Sequence, residues 1–343
     1  MASVTGKPSY TIIIKGVTVM KKFVCILMSI LMILSFAACG AKTDDGVYKV
    51  AIIQQLEHSS LDEICAGIQS ELEKLAAEKG VTVQIEVHNG QNDTSMLNQI
   101  SAKVVADKVD MIIPIATNAA IAAAVAAEET ETPVVYAAIS DPEAAELTGI
   151  PYVTGVSDAL NTPFILDMLL AAQPDIQCVG LLYSNSEPNS IKPIAEAKAY
   201  LDAKGIAYEE KTGTSPNEII TAANALVGRC QAVFTPTDNV VMSAEGAVAE
   251  IFAANGIAHY AGADSFVTSG AFATCGVNYT ELGQKAGQMA FEILMGAPVP
   301  ENYHVMEGGI ITVNTETAAA LSIDYAPFSQ MANTVLEVTT AAE

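Results

Sequence analysis

Tyr48-Lys49-Val50-Ala51-Ile52-Ile53-Gln54 is an apolar, β-branched run, and soon after it Ser60-Leu61-Asp62-Glu63 opens a second pattern. Leu61, Ile64, Ile68, Leu72 and Leu75 then recur at intervals of three and four until Gly80. The run reads as a strand. The spacing that follows reads as a helix with one apolar face, begun by a Ser60/Glu63 capping box and ended by a glycine. Strand then helix is the unit that the rest of the chain repeats.

Residues 82–87 form the next expected strand. After the polar loop 89–94, Met96, Leu97, Ile100 and Val104 give the next helix its inner face. A strand at 111–115, an alanine-rich helix from Asn118 and a strand at 133–138 continue the alternation. It restarts after Gly155-Val156-Ser157-Asp158, with helices over 164–172, 188–204, 218–226 and 243–254. The expected strands of this half lie at 178–183, 206–208, 232–235, 258–260 and 272–277. Such alternation implies an α/β fold of two Rossmann-like lobes, each a parallel sheet with helices on both faces. A helix at 281–295 and a strand at 310–313 remain, so the hinge is expected to be crossed more than once. The crossings are placed near 155–157, 276–278 and 303–305. Lobe 1 is then 48–155 plus 279–303, lobe 2 is 156–278 plus 304–335, and 336–343 is an acidic tail.

The first part of the chain reads as a targeting segment. Lys21-Lys22 precede an apolar stretch too short to span a bilayer comfortably, which ends in Phe36-Ala37-Ala38-Cys39-Gly40. The last residues resemble a lipobox, in which Cys39 is acylated and becomes the new N-terminus. Residues 1–38 are accordingly an upstream extension plus signal peptide, and 39–47 a lipidated linker. Removal of residues 1–38 takes four lysines and no acid, so the formal charge of −23 becomes −27. That charge excludes nucleic acid as a partner and also attraction to anionic headgroups, so attachment to the membrane falls to acyl chains. Cys65, Cys178, Cys230 and Cys275 lie far apart, without metal-ligand spacing, and read as free thiols, with a disulfide open outside the cytoplasm.

In parallel α/β sheets ligands sit beyond the carboxyl ends of the strands. Six loops occupy those positions: 54–60, 116–118, 139–142, 183–190, 235–239 and 262–265. The candidate ligand residues are Gln55, Leu56, Glu57 and Ser60 in the first, Thr117 and Asn118 in the second, and Ser140 and Asp141 in the third. Asn185, Ser186, Glu187 and Asn189 come from the fourth, Thr237 and Asp238 from the fifth, and Asp264 from the sixth. Any one of them also reads as a helix cap. No nucleophile elbow, phosphate loop, dinucleotide fingerprint or paired-ligand metal motif is present, so neither catalysis nor a cofactor is expected. Hydrolysis by cleft carboxylates among Glu57, Asp141, Glu187, Asp238 and Asp264 is the enzymatic alternative. Arg229 is the sole arginine and the six loops hold no lysine, which disfavours a strongly anionic ligand. A zwitterion fits, its carboxylate held by hydroxyls and helix N-termini and its ammonium by Asp238 or Glu187.

The ordered strings Gln55-Leu56-Glu57-His58-x-x-Leu61-Asp62, Ile115-Ala116-Thr117, Ser140-Asp141-Pro142, Val153-Thr154-Gly155-Val156-Ser157, Leu182-Tyr183-x-x-Ser186-Glu187-x-Asn189-Ser190 and Pro236-Thr237-Asp238-Asn239 resemble the substrate-binding lipoproteins of ABC transporters in the group linked to tryptophan or tyrosine uptake. The resemblance implies a type I periplasmic-binding fold that closes on its ligand, a transporter permease as partner and an aromatic amino acid as ligand. Leu56 stands where many members carry a bulkier residue. The alternatives are another small solute, such as a nucleoside, sugar or different amino acid. A cytoplasmic regulator's effector domain is disfavoured, because no DNA-binding helix pair precedes residue 48.

Overall fold

The computed structural model describes Ala2 and residues 46–341. The expected signal segment, Cys39 and most of the linker lie outside the described residues. The first sheet begins with β1 (Val47–Gln54), α1 (Ser59–Lys79), β2 (Thr82–Asn89), α2 (Thr94–Ala106) and β3 (Met111–Ile115). It continues through α3 (Thr117–Ala126), β4 (Val134–Ala137) and β5 (Val153–Ser157). The second half runs α4 (Thr162–Ala172), β6 (Cys178–Tyr183), α5 (Pro188–Lys204), β7 (Ala207–Thr212), α6 (Pro216–Leu226) and β8 (Ala232–Thr235). Then come α7 (Asn239–Met242), α8 (Glu245–Ala254), β9 (Ala258–Ala261), α9 (Asp264–Thr268) and β10 (Ala273–Gly276). The last elements are α10 (Tyr279–Leu294), β11 (His304–Val305), β12 (Ile310–Asn314), α11 (Thr315–Leu321) and β13 (Thr334–Val338).

Two sheets result, in the orders β11-β5-β4-β3-β1-β2 and β13-β12-β10-β9-β8-β6-β7. All pairings are parallel except that of β12 with β10, which is antiparallel. Both sheets therefore reverse strand order at corresponding places, between β1 and β3 and between β6 and β8. The expected α/β architecture of two lobes is the one observed. Along β1, Val50 and Ile52 pack into one core cluster and Ala51 and Ile53 into another, so the strand is buried on both faces. That is why its sequence is a continuous apolar run.

Three local readings change. Residues 153–157, which include the crossing expected near 155–157, form β5 and pair with β4, and His304–Val305 pair with β5 as the edge strand of the first sheet. The chain accordingly leaves the first sheet at 158–161 and 306–309, a few residues later than expected, while 277–278 is the crossing in between. Gly155 has a packing reason: a Cβ there would meet the Tyr136 carbonyl oxygen and ring at 2.3 Å. Part of the expected tail is β13, which pairs with β12 from Ile310↔Thr334 to Asn314↔Val338. The capping box of the first helix does not close. His58 is the N-cap and its side chain makes no cap bond, whereas Glu63 accepts from the backbone N–H and hydroxyl of Thr280 on α10. This seats α10 against α1 so tightly that a Cβ on Gly283 would lie 2.3 Å from the Ile64 carbonyl oxygen.

All four cysteines among the described residues are free. Burial pushes Cys230 up to about 12 and Cys275 up to about 11, which keeps both as unreactive thiols. Among the described residues, no helix is long and apolar enough to cross a membrane.

Candidate functional site

The carboxyl ends of both sheets face one cavity, with about 400 Å³ free of protein atoms when the open solvent at its mouth is included. It is slit-like, and only about 30 Å³ of it admits the centre of a water molecule. Every one of the six loops named from the sequence supplies lining: His58 and Ser60, Thr117, Ser140, Asn189, Thr237 with Asp238 and Asn239, and Ala263 with Ser265. Loops after β1, β3, β6 and β8 are those that flank the two strand-order reversals, where crevices open in such sheets. Leu61, Met242 and Phe266 make an apolar wall, and Asp158 and Tyr279 complete the lining.

Side chains from the two sheets meet across this space. Gln55 is fully buried, and its Oε1 accepts the backbone N–H of Asn118 (3.1 Å). Its Nε2 donates to Glu187 Oε1 (2.9 Å), and Asn118 Nδ2 donates to the same oxygen (3.4 Å). On the other side Asn239 Nδ2 donates to Glu187 Oε2 (2.8 Å). Further bridges are His58 Nε2 with Asn239 Oδ1 (3.2 Å), Ser60 Oγ to Asp264 Oδ1 (3.1 Å) and the Ser140 and Thr237 hydroxyls (3.0 Å). Burial, and then the Asp238 charge, push Glu187 up to about 8. Burial pushes Asp158 up to about 6 against hydrogen bonds from Ser140 and Tyr279.

Three buried polar atoms in this lining have no partner: His58 Nδ1, Asn189 Oδ1 and Ser265 Oγ. Buried polar groups are rarely left unpaired, so three around one cavity mark a place built to receive polar groups. The backbone is strained at the same place. Ala116 holds φ 73° and ψ 162° at the head of α3, a region that costs a residue with a Cβ about 1–3 kcal/mol.

Of the residues named from the sequence, Ser60, Thr117, Ser140, Asn189, Thr237 and Asp238 line the cavity. Gln55, Asn118, Glu187 and Asp264 stand behind it in the bonds that join the two sides. Leu56 is buried in the core cluster. Asp141 makes an ion pair with Lys192 (3.3 Å), whose side chain is more than half exposed. Glu57, Asn185 and Ser186 are exposed and outside the lining. Asp238 is occupied within its own side: Oδ2 accepts from Ser184 N–H (2.7 Å) and Ser190 Oγ (2.6 Å), and Oδ1 caps α7 through Val241 N–H (3.0 Å). Leu61, Met242 and Phe266 carry no sequence signal that separates them from core residues. Asp158 and Tyr279 lie at crossings of the chain, which is the signal that could have found them.

Among the described residues no cluster of three or more His, Cys, Asp or Glu could hold a metal. His259 joins Glu245 (2.9 Å) and Thr235 (2.8 Å) in a line that resembles a nucleophile relay, but all three are buried and none lines the cavity.

Residues 49–332 match the family model for ABC transporter substrate binding proteins. A curated relative, the tyrosine-binding protein of Clostridioides difficile, is 32% identical over 289 residues, covering 82% of this chain and 83% of the relative. A solved structure from Streptococcus pneumoniae, in complex with L-Trp, has 31% identity and a TM-score of 0.78, covering 84% of this chain and 99% of that one. A substrate binding protein with adhesive properties from Clostridium difficile, solved ligand-free and open, has 32% identity and a TM-score of 0.65, covering 86% and 100%. At nearly equal identity the chain superposes better on the complex with L-Trp than on the ligand-free, open form. The chain belongs to the family of ABC transporter substrate-binding proteins.

Proposed function

We propose that this protein is the extracytoplasmic, lipid-anchored receptor of an ABC importer and that its ligand is an aromatic amino acid. The observation that carries the ligand class is the cavity itself, whose lining combines apolar Leu61, Met242 and Phe266 with unpartnered buried polar atoms on His58, Asn189 and Ser265. Such a cavity suits a molecule with an apolar body and polar ends. The tyrosine-binding relative and the L-Trp complex support the same class. The hydroxyls of Thr117, Thr237 and Ser265 and the N-terminus of α3 suit a carboxylate. Because ligand touches both lobes, it stabilises the closed arrangement by its differential affinity for that state.

Thermal-shift screening followed by calorimetry against amino acids, nucleosides and sugars tests this. Stabilisation by L-tyrosine, L-tryptophan or L-phenylalanine is expected; a response confined to a nucleoside or sugar would overturn the ligand class. The anchor is tested separately. Cys39→Ala should leave ligand affinity unchanged and release the protein from membranes, since acyl chains are its proposed attachment. Retention of that variant after a carbonate wash would show a different anchor.

A further inference from the structure

The polarity of the cavity wall at His58 is set by groups outside the cavity. Gln55 Oε1 takes the backbone N–H of Asn118, so Gln55 Nε2 must point at Glu187 Oε1. Glu187 Oε2 then faces Asn239 Nδ2, which turns Asn239 Oδ1 towards His58 Nε2. An acceptor at that position requires the ring proton on Nε2. Burial holds His58 below its ordinary pKa, so the ring is neutral near pH 7, and while Glu187 is ionised Nδ1 keeps a bare lone pair. That atom is buried and has no partner. Asn189 has the same character: its Nδ2 donates to the Thr237 carbonyl (2.6 Å), and its Oδ1, in a side chain 5% exposed, is left without a donor.

Two buried acceptors therefore face one cavity, together with the carboxylates of Asp158 and Asp238 and with no lysine or arginine in its lining. We propose that His58 Nδ1 and Asn189 Oδ1 receive N–H groups of the ligand's ammonium, and that Glu187 is a positioning residue which fixes the His58 tautomer through Asn239. This rests on the amino-acid reading above and adds the residues that discriminate for the amine. His58 and Asn239 come from opposite lobes, so the acceptor is set only when the lobes close. A proton on Glu187 Oε2 reverses the chain. Asn239 would turn to accept it, its Nδ2 would face His58 Nε2, and the ring proton would move to Nδ1, presenting a donor where an ammonium needs an acceptor. The charged and titratable groups around His58 are Asp62 on its own helix, Glu187 and Asp238 beside Asn239, Asp264 bonded to Ser60, and Asp158 with Tyr279 in the same cavity. An ammonium placed among them favours ionised Glu187, so binding should release a proton.

Calorimetry with L-tyrosine and with its des-amino analogue, 3-(4-hydroxyphenyl)propanoate, separates the amine from the rest of the ligand. His58→Phe removes no helix-capping bond. It should weaken L-tyrosine about tenfold or more beyond its effect on the analogue, the size of one charge-assisted hydrogen bond. Glu187→Gln should show the same selective loss, because its amide nitrogen must face Asn239 and forces the reversed tautomer. The parent protein should release a proton on binding L-tyrosine, read from buffers of different ionisation enthalpy, and Glu187→Gln should not. Long-range ¹⁵N–¹H spectra of the parent protein's His58 ring, which need no variant to fold, should show Nδ1 unprotonated in the complex. Equal losses for both ligands, or a protonated Nδ1, would overturn the assignment while leaving the amino-acid ligand intact. Failure of the parent protein to bind either L-tyrosine or L-tryptophan would overturn the ligand reading beneath it.

Discussion

Asp238→Ala should lower the free energy of unfolding by about 3–5 kcal/mol, since each buried donor left without an acceptor costs about 1–3 kcal/mol. The carboxylate has no exposed surface, and Ser184 N–H, Ser190 Oγ–H and Val241 N–H all end on it. The Ser190 hydroxyl can turn elsewhere, but the two backbone N–H groups are fixed by β6 and by the first turn of α7. Removing a buried charge beside Glu187 relieves some desolvation and repulsion, which keeps the expected loss below the sum of three. Asp238→Asn should cost about 1–2 kcal/mol. Asn caps a helix nearly as well as Asp, yet its NH₂ must face one of the remaining donors. The sequence pairs Asp238 with the ligand's ammonium and on that basis expects little change in the melting of Asp238→Asn without ligand; the filled hydrogen bonds lead to a different expectation. Urea unfolding with an unchanged slope reads the effect as a lower midpoint. An unaltered midpoint for the alanine variant would show that these donors find water instead.

Stability of the protein without ligand should fall by a few kcal/mol between about pH 5 and pH 8. Five acids, four of them buried and Asp264 partly so, have raised pKa values with burial as the leading cause: Asp158 (to about 6), Glu187 (to about 8), Asp238, Glu245 and Asp264. Each titrates near 4 in an unfolded chain. Between that value and the folded one, the native state holds more protons than the unfolded state, so stability is present at the acid end and lost as pH rises. Glu187 spans the widest window and should dominate from about pH 6 to 8. The strongly negative net charge acts in the same direction, because self-repulsion grows as the acids ionise. His58 acts in the opposite direction, since burial depresses its pKa and its protonation below about 6.5 favours unfolding. A melting series should therefore peak on the mildly acidic side, and Glu187→Gln should flatten the limb from pH 6 to 8. A melting temperature that is level or rises from pH 5 to pH 8 would contradict the burial of these groups.

The alternation of strands and helices was legible because each inner strand of the two sheets is buried on both faces. Its sequence is then a plain apolar run, of which Val50–Ile53 is the clearest case. The strands 153–157 and 304–305 were not, because Thr154, Gly155 and Ser157 in one and only two residues in the other give no periodic signal. The six loops were legible from strand ends, and all six reach one cavity. Roles within them were not legible, since Asp238, Glu187 and Asn189 belong to residue types that cap helices, bridge lobes or meet ligand equally well. Which of these each does depends on the partner opposite. For Glu187 that partner is Gln55, 132 positions away in sequence, and no local pattern encodes such a pairing.

The structure of the complex with L-tyrosine or L-tryptophan tests the central claim most directly, because it locates the ligand and the lobes at once. The amino group should lie at His58 and Asn189, the carboxylate towards Thr117, Thr237 and Ser265, and the ring against Leu61, Met242 and Phe266, with both lobes in contact with one molecule. Ligand bound instead in the neighbouring groove, which shares Asp158 and Tyr279 with the cavity and is otherwise lined by Asn161, Gly276, Gly309 and Met331, would contradict it.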